Sequence, residues 1–134
     1  MKLSILGLDH VVLRVYDVAR MRAFYCDVLG CVLEREQPDL GLVQLRAGNA
    51  LIDLVDVAGK IGRQGGRAPQ ADGRNMDHFC LRVAPFDATA IRDHLESCGV
   101  SVGELATRYG ADGEGPSLYI QDPEDNTVEL KGAI

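Results

Sequence analysis

The phrase LDHVVLRV at residues 8–15 returns as MDHFCLRV at residues 76–83, with a histidine third in both copies. A chain of 134 residues is long enough for one compact domain, or for two small halves sharing one core. An internal repeat favours the second description. The halves should then carry the same order of elements.

They do. After the first phrase, Asp17 can cap a helix whose apolar positions Val18, Met21, Phe24, Tyr25, Val28 and Leu29 recur at three- and four-residue intervals. Gly30 ends it. Three strand-like runs follow, CVLERE from Cys31, LVQLRA from Leu42 and ALIDLVDV from Ala50, separated by the turn signals PDLG and GN. In the second half Asp87 can cap a helix with Ile91, Leu95 and Cys98 on one face, ending at Gly99. VSVGEL, GPSLYIQD and NTVELKG supply the last three strands, and the acidic turn DPEDN joins the final two.

The pattern predicts an α+β fold of two βαβββ modules, residues 4–57 and 76–134, within a single domain over residues 1–134. The glycine-rich stretch 58–75 shows no periodicity and reads as a linker. Its arginines, Arg63, Arg67 and Arg74, are candidate anion contacts should the loop lie beside a site.

Side chains alternate between the faces of a strand, so His10, Val12 and Arg14 oppose Val11, Leu13 and Val15. In the second copy His78, Cys80 and Arg82 oppose Phe79, Leu81 and Val83. The same parity sets Asp53 against Ile52 and Leu54, and Glu129 against Val128 and Leu130. An acid interrupting an apolar strand must be paired, hydrated or metal-bound, because burying a lone charge is costly. Pairing of the modules about a pseudo-two-fold axis would bring His10, Asp53, His78 and Glu129 together. Two imidazoles and one or two carboxylates suit Fe(II), Mn(II), Co(II), Ni(II) or Zn(II), with positions left open for substrate.

Composition narrows the partners. A net charge of −6 disfavours nucleic acid or an anionic membrane and favours a small molecule. No secretory signal or membrane-length apolar run is visible, so a cytoplasmic location is expected. The four cysteines, Cys26, Cys31, Cys80 and Cys98, form no Cys-x-x-Cys pair and read as small buried hydrophobes.

Taken together, LDHVVLRV, FYCDVLGC, MDHFCLRV and SLYIQDPEDNTVEL resemble the vicinal oxygen chelate superfamily of glyoxalases, bleomycin-resistance proteins and extradiol dioxygenases. The resemblance spans nearly the whole chain. It implies a glyoxalase-like fold in which the modules form an open mixed-sheet cup around a divalent metal ion. It also implies that His10, His78 and Glu129 are metal ligands, with Asp53 at the position of a fourth. Under this resemblance Glu129 or Asp53 would be the catalytic base of a lyase or isomerase acting on adjacent oxygens. Two alternatives stay open: an Fe(II) extradiol dioxygenase cleaving a catechol, with Tyr119 as an acid, and a non-catalytic binder of an antibiotic or other small molecule. A homodimer is expected, C2 pairs being the commonest symmetric assembly.

Overall fold

The computed structural model describes residues 1–133. They form two compact units, one spanning Met1–Gln70 and the other beginning at Ala71. The first runs β1 (His10–Val15), α1 (Val18–Ala23), β2 (Val32–Gln37), β3 (Leu42–Ala47) and β4 (Ala50–Asp56). The second runs β5 (Phe79–Val83), α2 (Ala88–Ser97), β6 (Ala106–Gly110), β7 (Gly113–Gln121) and β8 (Thr127–Gly132). Each is a βαβββ module built on an open four-stranded sheet, ordered β1-β4-β3-β2 in one and β5-β8-β7-β6 in the other. The first and last strands of each module pair in parallel, and the remaining pairs are antiparallel.

Alternation sets the cores. Leu13 and Val15 are buried while Val12 between them is exposed. Ile52 and Leu54 of β4, Leu118 and Ile120 of β7, and Val128 and Leu130 of β8 are buried in the same way, each contributing about 1.5–3 kcal/mol by leaving water. Asp53, Glu129 and Lys131, on the opposite faces of those strands, are buried as well. The innermost strands are therefore covered on both sides.

Both helices start where the sequence places them. Asp17 accepts a hydrogen bond from the Arg20 amide at 3.0 Å, and Asp87 accepts one from Ala90 at 3.1 Å, satisfying backbone donors that have no partner within the helix. The first helix departs from expectation partway along: beyond Ala23 it widens into a π-helical turn, Phe24–Val28. The adjacent Phe24 and Tyr25 are both buried there, in edge-to-face contact at 5.1 Å, which a regular helix face does not offer to neighbours in sequence.

The predicted strand VSVGEL is a correction. Residues 100–105 are not in a strand; the Arg92 guanidinium donates to the carbonyls of Val102 and Gly103 and ties them to α2. The strand is instead ATRYG, paired with β7 from Ala106↔Ser117 to Gly110↔Gly113. The turn signal that sets this hairpin is Ala111-Asp112-Gly113, whose glycine takes a positive φ.

The expected linker is partly built into the first unit. Arg14 donates to the carbonyls of Gly62, Gly66 and Arg67 at 2.9, 2.6 and 3.0 Å. The Tyr16 hydroxyl donates to Pro69. Gly65 leaves room for this guanidinium, since a β-carbon there would lie 2.5 Å from Arg14 Nε. Arg74 is likewise engaged, by the Glu124 carbonyl and the Asn126 side chain in the DPEDN turn. No helix among the described residues is long and apolar enough to cross a membrane.

Candidate functional site

In the first module β1 and β4 run in parallel with Val12 opposite Asp53, which sets His10 and Asp53 on one face of the sheet. His10 Nδ1 lies 2.7 Å from Asp9 Oδ1. That hydrogen bond raises the imidazole pKa above its ordinary value; partial desolvation opposes it, and the charge of Asp53 adds to it. Asp53 is 4 % exposed. Its Oδ2 accepts a hydrogen bond from Gln44, the residue opposite it on β3, at 3.2 Å. Its Oδ1 is buried with no hydrogen-bond partner among the described residues. A buried carboxylate oxygen left in this way costs about 1–3 kcal/mol or more, and a group donating to it would restore what folding removed.

The second module repeats the arrangement with closer contact. His78 precedes β5, and Glu129 sits opposite both Cys80 and Tyr119. His78 Nδ1 lies 2.6 Å from Asp77 Oδ2, and His78 Nε2 lies 3.2 Å from Glu129 Oε1. The Tyr119 ring meets the His78 ring edge to face at 5.2 Å, and the Arg108 guanidinium stacks 4.5 Å from the Tyr119 centroid. Burial raises the Tyr119 phenol pKa, and the nearby Glu129 carboxylate raises it further by its charge and a hydrogen bond. The Cys80 thiol is pushed up to about 11, again by desolvation first and Glu129 second. A thiol so far above neutral pH is no nucleophile.

Each module therefore holds a histidine whose Nδ1 is fixed by the preceding aspartate, with a nearly buried carboxylate on a neighbouring strand. Metal-ligating histidines usually carry their other nitrogen on a carboxylate or carbonyl in this way. The pair in the second module also has suitable spacing: bonds of about 2.0–2.2 Å at tetrahedral to octahedral angles set neighbouring ligand atoms roughly 3–3.4 Å apart. The donors present fit a divalent cation. Among the described residues no three histidine, cysteine, aspartate or glutamate side chains are gathered as a ready group of ligands.

Sequence reasoning missed Asp9, Asp77 and Gln44, although the Asp-His dipeptide is written in both copies of the repeat. Tyr119 also lines the second pair. Arg14, on the His10 face by parity, is held by loop carbonyls, and Arg82 Nε, on the His78 face, is paired with Asp112 at 2.5 Å. All four cysteines are free; Cys31 is buried, whereas Cys80 and Cys98 are exposed rather than core residues.

Comparison with known proteins agrees with this architecture. Residues 7–130 match the sequence profile of the Glyoxalase/Bleomycin resistance protein/Dioxygenase superfamily. A glyoxalase domain-containing protein of Mycosarcoma maydis, RDO1, is 30% identical over 130 residues, covering 96% of this chain and 69% of that protein. An integron cassette protein from the mobile metagenome of V. cholerae is 26% identical, with a TM-score of 0.78 over 100% of both chains. A lactoylglutathione lyase from Agrobacterium tumefaciens shares the fold at 22% identity, with a TM-score of 0.70 over 96% of this chain and 95% of that one. The profile match across both modules and the shared fold make this chain a member of the glyoxalase/bleomycin resistance protein/dioxygenase superfamily.

Proposed function

We propose that this protein is a divalent-metal-dependent lyase or isomerase acting on a small substrate with adjacent oxygens. His10, His78 and Glu129 would hold the metal, with Asp53 as the fourth ligand or its neighbour through water. The observation that carries this reading is the duplicated Asp-His pair, Asp9-His10 and Asp77-His78, each fixed at Nδ1 and each accompanied by a nearly buried carboxylate.

When bound, such a cation supplies positive charge against the negative charge that develops on substrate oxygens. The protein's own groups do the rest. Asp9 and Asp77 set the orientation of the two imidazoles. A carboxylate oxygen takes a proton from the carbon beside the carbonyl and can return it to the adjacent position, the net change of an isomerisation. Asp53 Oδ1 is suited to this step, since Gln44 holds only the other oxygen. Tyr119, against His78 and hydrogen-bonded to Glu129, keeps its proton at neutral pH and can donate a hydrogen bond.

Metal analysis of protein purified without chelator tests the proposal. The double variant His78→Ala plus Glu129→Ala should lose more than half of the bound metal; retention of more than half would refute the ligand assignment. Turnover of a hemithioacetal would support the lyase. Oxygen uptake with a catechol and a yellow product would instead assign the chain to the dioxygenase branch.

A further inference from the structure

Arg108 lies opposite Gly115 across the β6–β7 hairpin, on the face that also carries Tyr119 and Glu129. Its side chain runs back along β7 to the Tyr119 ring, where the guanidinium carbon sits 4.5 Å from the centroid. Oxygen acceptors hold it there. One terminal nitrogen donates to the Ser117 carbonyl and to Ser117 Oγ, both at 2.8 Å, and the other reaches the Glu104 carbonyl at 3.5 Å. Ser117 is fully buried, so the main anchor of this guanidinium is part of the packed interior. A planar cation pinned at both tips of its fork fixes the ring on which it stacks.

Tyr119 in turn touches both members of the second pair. Its ring meets the His78 ring edge to face at 5.2 Å. It stands directly opposite Glu129 on β8, and its phenol is hydrogen-bonded to that carboxylate. The backbone of Tyr119 is held as well: the Gly103 amide donates to its carbonyl at 2.9 Å, and a β-carbon at Gly103 would lie 3.1 Å from that oxygen. Gly103 and Glu104 thus join the segment after α2 to Tyr119 and to Arg108 at adjacent residues. In the first module the residue opposite the carboxylate is Gln44, whose amide reaches Asp53 directly at 3.2 Å. The aromatic donor of the second module is the one given a brace.

We propose that Arg108 is a positioning residue: it fixes the Tyr119 ring, and through that ring it sets the angle of the His78 imidazole and the orientation of the Glu129 carboxylate. Calling His78 and Glu129 metal ligands rests on the proposed function above; the bracing of the two side chains does not.

The test follows the ring protons of His78 and Tyr119 by NMR in metal-free full-length protein, and measures metal affinity separately by competition with a chelator. Arg108→Lys keeps the charge but loses the plane. It should move the His78 ring signals together with those of Tyr119, and weaken metal binding about tenfold, the lower end of the range for groups that orient metal-ligating histidines. Arg108→Met should do the same. The control is Arg92→Met, which releases Val102 and Gly103 from α2; it should lower the melting temperature and leave the His78 ring signals and the affinity as in wild type. Unmoved His78 signals in Arg108→Lys, or equal shifts in Arg92→Met, overturn the proposal. An unchanged affinity in a protein that binds metal overturns it too. Should Arg108→Met fail to fold, Arg108→Lys decides by the same readings. If wild type takes up no metal, the metalloenzyme reading falls and the His78 shifts alone decide the bracing.

Discussion

Rung by rung, the two modules share a ladder and differ in chemistry. Val12, Asp53 and Gln44 lie side by side in the first, where Cys80, Glu129 and Tyr119 lie side by side in the second. The carboxylate stays on the last strand in both, but its neighbours change from an amide to an aromatic phenol. The next row changes more, from Arg14, Val55 and Leu42 to Arg82, Lys131 and Ser117. Retained positions are those that fill a core or carry the histidine and acid. Altered positions lie on the opposite face, around the carboxylate.

The largest effects should test whether the shared framework is equally important in both halves. Leu54 and Leu130 occupy equivalent positions on β4 and β8, and both are buried. Leu54→Ala and Leu130→Ala should each cost about 2–5 kcal/mol, measured by denaturant unfolding. Equal losses in one transition would show that the modules unfold as a unit; separate transitions would show that each stands alone.

A smaller effect tests the duplicated Asp-His pairs. Asp9→Asn and Asp77→Asn should each lower metal affinity by about 10-fold, the weak end of the range for partners of metal-ligating histidines, because both aspartates are more than nine-tenths exposed and water screens them. Competition with a chelator of known affinity measures this. An unchanged affinity in both variants would mean that the repeat preserves a turn rather than a site.

The smallest expected effect concerns the outer hairpins. In the first module Arg46 donates two hydrogen bonds to Glu34 across β2 and β3; in the second, Arg108 donates to the backbone and hydroxyl of Ser117, which do not titrate in acid. The Arg46 hydrogen bonds, then its charge, lower the Glu34 pKa below 4.5 against a small desolvation penalty. A carboxyl depressed on folding stabilises the protein above its unfolded pKa, and that contribution disappears as pH falls through the folded value. Acid should therefore loosen the first hairpin before the second. NMR titration should find Glu34 returned to the ordinary carboxylate range in Arg46→Met, with little change in melting temperature at neutral pH.

Much of this architecture is legible in the sequence because the repeat states it twice. Side-chain parity alone assigned His10 and Asp53 to one face and His78 and Glu129 to another shared face, and the registers agree. Parity depends only on the two-residue period of a strand, which survives any choice of neighbours. The position of β6 was not legible in that way. VSVGEL alternates as well as ATRYG does, and the contest is decided by Arg92 reaching the carbonyls of Val102 and Gly103 from a helix. Asp9 and Asp77 were hidden for a different reason: a residue next to a histidine points away from it in an ideal strand, yet both lie just before the regular strand begins, where the backbone can turn them back. Lys131 gave no signal, since a lysine near the end of a strand ordinarily lies in water.

Gly110 and Gly115, beneath the Lys131 stem, have a consequence for how this protein can vary. Neither carries charge, and a change to alanine at Gly115 alters no chemical group near the face. It would nevertheless press on the ammonium from 3.1 Å and tilt it along the sheet. The packing of this face can thus change through substitutions that look silent in any survey of polar residues.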